Sequence, residues 1–123
     1  MAHIKFSTDS ASDIPAALRE EWNIQVLPFP IAMGDREYMD GFDFTPDEFF
    51  QMLLDSPQIP THAQLNPYLF TECFEKAWKE GYTDLIHPSI NSKGSATYGN
   101  AIQARDEFYE DHPDAQDTFH IHI

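Results

Sequence analysis

The sequence predicts an α/β domain with a mainly parallel sheet and helices on both faces, a Rossmann-like three-layer sandwich. Two observations lead to this class. Short apolar runs typical of strands alternate along the chain with segments whose apolar residues recur at helical spacing. The length of 123 residues is also less than that of a typical domain unit, so we expect a single domain over residues 1–123.

The first quarter of the chain predicts a strand, a loop, a short helix and a longer strand. The first strand is expected at residues 4–7, where apolar residues begin. Pro15 suits the first turn of a helix, whose inner face would carry Leu18 and Trp22. The most strand-like stretch is 24–33, and its two prolines require an edge position or a bend.

A turn, a short returning strand and a capped helix follow. Gly34 begins the turn, and residues 37–39 predict the strand. Thr45, with proline after it and Glu48 three residues on, has the pattern of a capping box. The apolar stripe expected on this helix is Phe49, Phe50, Leu53 and Leu54.

The second half of the chain repeats the alternation of helix and strand. Asn66 and the proline after it predict a helix start, and Gly81 predicts the helix end. Residues 84–87 predict a buried strand, 98–109 a final helix, and 118–123 an alternating strand. Because the chain stops inside an apolar strand, we expect it to be a fragment of a longer protein.

Composition excludes several classes of function. Seven basic residues against 21 acidic ones give a net charge of -14, which disfavours nucleic acids and anionic membranes as partners. No apolar run approaches the roughly 20 residues of a spanning helix, so no stable membrane insertion is expected. The start of the chain lacks a secretory pattern, and Cys73 has no second cysteine to pair with. These features predict a cytoplasmic protein, with Cys73 as a core filler.

Two loops occupy the position where parallel sheets bind ligands, beyond the carboxyl ends of strands. The loop at 8–13 includes Asp9 and Ser10, and the loop at 89–95 includes Ser92 and Ser95. A third hydroxyl-bearing loop is expected at 60–64. Hydroxyl and N–H groups at a helix start favour an anion, although helix capping alone is the simpler interpretation of each loop. Aromatic residues, 14% of the chain, fit either a core or a tunnel for an apolar ligand.

The histidines leave two other functions open. His62 and His87 are expected at loop or strand ends, where a histidine could accept phosphate in a phosphoryl-transfer protein. His120 and His122 share one face of the last strand, which favours packing against another surface over a metal site. A ligand-free interaction fragment, dimeric through residues 118–123, is the other alternative. No metal is expected.

The order of these segments resembles the DegV family of bacterial lipid-binding proteins. The pieces that carry the resemblance are Phe6-Ser7-Thr8-Asp9-Ser10 with Asp13 and Pro15, Asn23-Ile24-Gln25-Val26-Leu27-Pro28, Glu37-Tyr38-Met39-Asp40-Gly41, Thr45-Pro46-Asp47-Glu48-Phe49-Phe50, Gln64, Gly81-Tyr82-Thr83-Asp84-Leu85-Ile86 and Ser92 with Ser95-Ala96-Thr97-Tyr98. The resemblance covers almost the whole chain. It depends on the order and spacing of the pieces, since none is decisive alone.

The resemblance implies a protein that holds a long-chain fatty acid and needs no cofactor. Such proteins present the carboxyl group to a separate fatty acid kinase of the dihydroxyacetone-kinase type and do not catalyse the reaction themselves. A second domain completes the pocket, so the fragment would belong to a two-domain protein. Carried over by position, the headgroup donors are Thr61, His62, Gln64, Ser92 and Ser95.

Two segments depart from the family pattern. His62-Ala63-Gln64 stands where the family commonly has Thr-Ser-Gln, and Asn91 and Ala96 stand where it has serine and glycine. His62 can replace a threonine as a hydrogen-bond donor, whereas Ala63 cannot replace a serine.

Overall fold

The computed structural model describes residues 2–56 and 58–123, which form seven strands and four helices. The strands are β1 (Ile4–Asp9), β2 (Gln25–Leu27), β3 (Pro30–Met33), β4 (Arg36–Met39), β5 (Thr61–His62), β6 (Asp84–Ile86) and β7 (His120–His122). The helices are α1 (Ala16–Glu21), α2 (Pro46–Asp55), α3 (Pro67–Lys79) and α4 (Thr97–Asp111). Short 3₁₀ turns lie at Ser10–Ser12 and Pro113–Asp117.

The central sheet confirms the predicted fold class. Its order is β2-β1-β6-β7, and all three strand pairs are parallel. The connection from β1 to β2 runs in the opposite direction to that from β6 to β7. Since crossovers between parallel strands are right-handed, α1 and α4 lie on opposite faces of the sheet. Helix α3 packs against α4.

A second, antiparallel sheet has the order β4-β3-β5, and it corrects two sequence expectations. The stretch predicted as one strand at 24–33 divides between the two sheets, because the chain changes partner between Leu27 and Pro30. The segment predicted as a loop at 60–64 contains β5, which pairs with Ile31 and Ala32 of β3.

The predicted helix starts are confirmed by their caps. Thr45 Oγ1 accepts a hydrogen bond from Glu48 N at 3.2 Å, and Glu48 Oε1 accepts one from Thr45 N at 3.0 Å. Asn66 Oδ1 accepts one from Leu69 N at 3.1 Å and caps α3 in the same way. Pro15 lies one residue before the first residue of α1.

The sequence predicted a buried inner face for α1 and for α2, and this prediction was wrong. Trp22 is 66% exposed, and neither helix has a buried residue. Phe50 and Leu54 are exposed as well. The physical reason is the position of both helices: they border the cavity described below instead of covering the core, so Phe49 and Phe50 line empty space.

The core lies between the central sheet and the layer formed by α3 and α4. Phe70 and Phe74 of α3, Phe108 of α4 and Phe119 before β7 are all fully buried. Cys73 belongs to the same cluster, and burial raises the pKa of its thiol to about 11. The expectation that Cys73 fills the core is therefore confirmed.

The other face of the central sheet is partly uncovered. The strand register places Phe6, Ile86 and His122 side by side on this face, and Phe6 is 46% exposed. His122 Nε2 lies 3.2 Å from Asp84 Oδ1 at its margin. That this face packs against another surface stays a prediction.

One buried histidine makes the stability of the fold sensitive to acid. His87 is 1% exposed, its Nδ1 lies 2.8 Å from Ser7 Oγ, and its Nε2 has no partner among the described residues. Burial lowers the pKa of His87 to about 4. An unfolded histidine takes up its proton near pH 6.5, whereas the folded one resists protonation down to about pH 4.

We expect the free energy of unfolding to fall as the pH drops from about 6.5 to about 4, by about 3 kcal/mol from His87 alone. Urea unfolding across this range measures the loss. His87→Asn keeps a side-chain atom that can hydrogen-bond to Ser7 Oγ, and asparagine does not titrate. The free energy of unfolding of this variant should therefore fall less with decreasing pH. His120→Asn, an exposed control, should retain the wild-type slope. Equal slopes for wild type and His87→Asn would contradict the prediction.

Candidate functional site

A cavity of about 1030 Å³ opens beyond the carboxyl ends of β1 and β6, where ligands of parallel sheets bind. This volume is at the upper end for small-molecule sites. Its apolar wall includes Val26, Phe29, Ile31, Phe44, Phe49, Phe50 and Ile90. Phe50 of α2 lines the cavity and is 62% exposed.

Two polar segments line the cavity. Thr61 and His62 come from β5, and Ser95 comes from the loop before α4. The segment after β5 is fastened to α4 through Leu65, whose N–H donates to Thr97 Oγ1 at 3.2 Å. The Leu65 carbonyl accepts from Asn100 Nδ2 at 2.8 Å. These bonds explain why the two polar segments, more than 30 residues apart in sequence, border one cavity.

The side chains of these two segments can donate hydrogen bonds to an anion. The Thr61 hydroxyl has no partner within the described part of the chain. Ser95 Oγ accepts from Thr97 N at 3.1 Å, which leaves its own O–H free to donate. His62 lies edge-on to Phe29 with ring centroids 6.0 Å apart. An anion bound at Ser95 would also lie near the start of α4, which carries partial positive charge.

The structure places the other expected ligand residues differently. Ser10 lines the cavity, but its Oγ accepts a hydrogen bond from Phe29 N at 3.0 Å. Asp9 is 2% exposed, and its carboxylate accepts from the N–H groups of Ala11 and Ile90. The Asp9 side chain does not line the cavity. Both residues therefore use these oxygens to bind the protein's own backbone.

Gln64 and Ser92 are exposed and lie outside the cavity lining. Gln64 follows β5, and Ser92 lies in a turn that reaches the cavity only through Gly94 and Ser95. Of the residues expected from the sequence to contact a ligand, Ser10, Thr61, His62 and Ser95 share this cavity.

Sequence reasoning did not identify the charged lining of the cavity. Arg19 lines it, with its Nη2 donating to the Gly41 carbonyl at 3.1 Å and its guanidinium 4.6 Å from the centre of the Phe42 ring. Asp13 and Asp40 line it too. A helical spacing shows only that Arg19 is on α1, so nothing in the sequence indicates which space it faces.

His87 offers no support for phosphoryl transfer, because its buried ring has no access to a phosphate donor in solvent. His62 is exposed, but no further feature of its surroundings points to phosphate chemistry. Within residues 2–56 and 58–123, no three or more histidine, cysteine, aspartate or glutamate side chains group closely enough to hold a metal ion.

In the described part of the chain, every helix is too short or too polar to cross a membrane.

Curated relatives align with nearly the whole chain. A DegV domain-containing protein of Caldanaerobacter subterraneus is 35% identical over 121 residues, which cover 98% of this chain and 42% of that protein. A DegV domain-containing protein of Clostridium acetobutylicum is 34% identical over 106 residues, which cover 86% of this chain and 38% of that protein. The chain therefore spans about two fifths of the length of these relatives.

Solved structures share the fold. A DegV family protein from Thermus thermophilus, described by its fatty acid binding, is 31% identical with a TM-score of 0.76, covering 86% of this chain and 38% of that one. A stearic acid-binding protein from Eubacterium ventriosum is 27% identical with a TM-score of 0.82. The match covers 99% of this chain and 40% of that protein. The family model for uncharacterised proteins of the DegV family matches residues 3–122. The chain belongs to the DegV family.

Proposed function

We propose that this chain binds a long-chain fatty acid in the cavity, with the carboxylate at Thr61, His62 and Ser95 and the acyl chain along the aromatic wall. The observation that carries the proposal is that a single cavity combines these donors with a long apolar surface. The relatives from Thermus thermophilus and Eubacterium ventriosum, described as binding a fatty acid and stearic acid, support it.

The energetics favour an apolar tail with a small anionic head. Burial of one methylene contributes about 0.8 kcal/mol, so a sixteen-carbon chain offers on the order of 10 kcal/mol before the costs of binding. The carboxylate then needs only a few donors, which strengthen when partly desolvated. Repulsion from Asp13 and Asp40 disfavours the carboxylate elsewhere in the cavity, and Arg19 is the competing cation.

The carboxyl group would be presented to a separate kinase of the dihydroxyacetone-kinase type in the cytoplasm. Thr61 and His62 are exposed, so a carboxylate beside them would be within reach of another protein. Cys73 and His87 are buried and cannot serve the reaction as nucleophile or base, which supports a non-catalytic role. Acyl phosphate should form only when such a kinase and ATP are added.

A second domain would close the pocket. The exposed side chain of Phe50 in the cavity wall and the share of the relatives' length that this chain spans support this part of the proposal. Residues 1–123 would then be one lipid-binding α/β domain of a two-domain protein.

The experiment that tests fatty-acid binding is a titration with saturated acids of eight to eighteen carbons. We expect the affinity to rise about fourfold for each added methylene, at about 0.8 kcal/mol each, until the cavity is full. Native mass spectrometry should show copurified fatty acid. The methyl esters are the matched control and should bind more weakly, because they lack the charge. No copurified lipid and no binding by any acid would contradict the proposal.

A further inference from the structure

Three consecutive residues at the end of β1 fasten the backbone around the cavity. Thr8, Asp9 and Ser10 are all buried. Thr8 Oγ1 donates to the Pro88 carbonyl at 3.0 Å, and Ser10 Oγ accepts from Phe29 N at 3.0 Å. Between them, Asp9 makes two hydrogen bonds to separate segments.

The carboxylate of Asp9 spans two edges of the cavity. Its Oδ1 accepts from Ala11 N at 3.0 Å, in the turn after β1. Its Oδ2 accepts from Ile90 N at 3.1 Å, in the loop after β6. Ala11 and Ile90 both line the cavity, and the loop that contains Ile90 continues to Ser95.

We propose that Asp9 is a positioning residue that holds the loop after β6, and with it Ser95, at a fixed distance from the turn after β1. The inference rests on the proposed function, since it assigns Asp9 to the fatty-acid site without ligand contact. A carboxylate suits this role because each oxygen can accept a charge-assisted hydrogen bond from a different segment. Asparagine has one acceptor oxygen and would leave one of the two N–H groups facing an amide N–H₂.

The direction of the effect separates positioning from simple electrostatics. Asp9 is a buried acid near a cavity proposed to hold another carboxylate. If it acted only through its charge, Asp9→Asn would remove a repulsion and strengthen fatty-acid binding. A positioning role predicts the opposite result: weaker binding, because Ser95 is no longer held in place.

The test measures palmitate affinity and amide hydrogen exchange on wild type and Asp9→Asn. We expect the affinity of Asp9→Asn to fall about tenfold and the Ile90 amide to exchange faster in the absence of ligand. Thr8→Val removes the neighbouring bond to Pro88 and leaves the carboxylate, so it should change both readouts in the same direction, by less. If Asp9→Asn does not fold, Thr8→Val is the remaining test. Weaker palmitate binding with faster exchange at Ile90 would support the positioning role, and unchanged values of both would contradict it.

The matched control is Asp84→Asn, at the opposite end of the sheet, where the carboxylate accepts hydrogen bonds from Thr83 Oγ1 and makes contact with His122. It should leave palmitate affinity unchanged. Unchanged or stronger binding by Asp9→Asn, or an unaltered exchange rate at Ile90, would overturn the inference. Absence of binding by the wild type would instead overturn the proposed function. The exchange rate at Ile90 would still test whether the Asp9 carboxylate holds the loop after β6.

Discussion

We expect palmitate to bind at least about a hundredfold more weakly when Thr61 is replaced by valine and Ser95 by alanine together. Each hydroxyl is proposed to donate to the carboxylate, and a hydrogen bond to a charged group contributes about 1.5–3 kcal/mol. Two such bonds correspond to about 3–6 kcal/mol. Valine preserves the shape of threonine, so the apolar wall and the acyl chain should be unaffected. Isothermal titration of wild type, both single variants and the double variant with palmitate measures the effect.

Two control variants show which end of the cavity holds the carboxylate. Ser92→Ala alters a serine of the same turn that lies outside the lining, and it should leave the affinity unchanged. Arg19→Gln removes the competing cation and should have little effect if the carboxylate lies at Thr61 and Ser95. A large loss in Arg19→Gln with none in the double variant would reverse the proposed orientation of the ligand.

The largest loss of stability is expected from Phe108→Ala, at about 3–5 kcal/mol. The Phe108 ring is fully buried, with centroids 5.7 Å from Trp78, 5.9 Å from Phe119 and 6.3 Å from Phe74. Truncation would leave a cavity between α3, α4 and the sheet, because aromatic neighbours on several sides cannot all move in to fill it. Urea unfolding at pH 7 measures the change.

Phe42→Ala is the matched control, because this phenylalanine is exposed and lies outside the core cluster. Its loss of stability should stay within about 0.5 kcal/mol. If both variants lost similar amounts, Phe108 would not be the centre of the packing.

Local signals in the sequence predicted the elements on this chain well. The Thr45 capping box and the Asn66 cap act within one helical turn, so the residues that form them are near neighbours in sequence. Phe70, Phe74 and Ala77 recur at helical spacing in the sequence, and these residues are buried on one face of α3, since a helix with one apolar stripe has one stable way to bury it.

Long-range partners were not predictable in the same way. The sequence of Thr8-Asp9-Ser10 indicated an anion-binding loop or a helix cap, and the structure uses these side chains to fasten Pro88, Ile90 and Phe29. Some 80 residues separate Asp9 from Ile90. A polar side chain at a strand end can serve ligand or backbone equally well, and only the folded chain selects between them.

The sequence by itself determined the family, the alternation of strands and helices and the acidic character of this chain, because those depend on residue order and composition. The tertiary structure decided that Thr61, His62 and Ser95 face one cavity and that Asp9 does not. It also decided that α1 and α2 border open space instead of core. The physical reason is that a hydrophobic pattern shows which side chains avoid water, but whether they meet a neighbour or a cavity depends on the packing of distant segments.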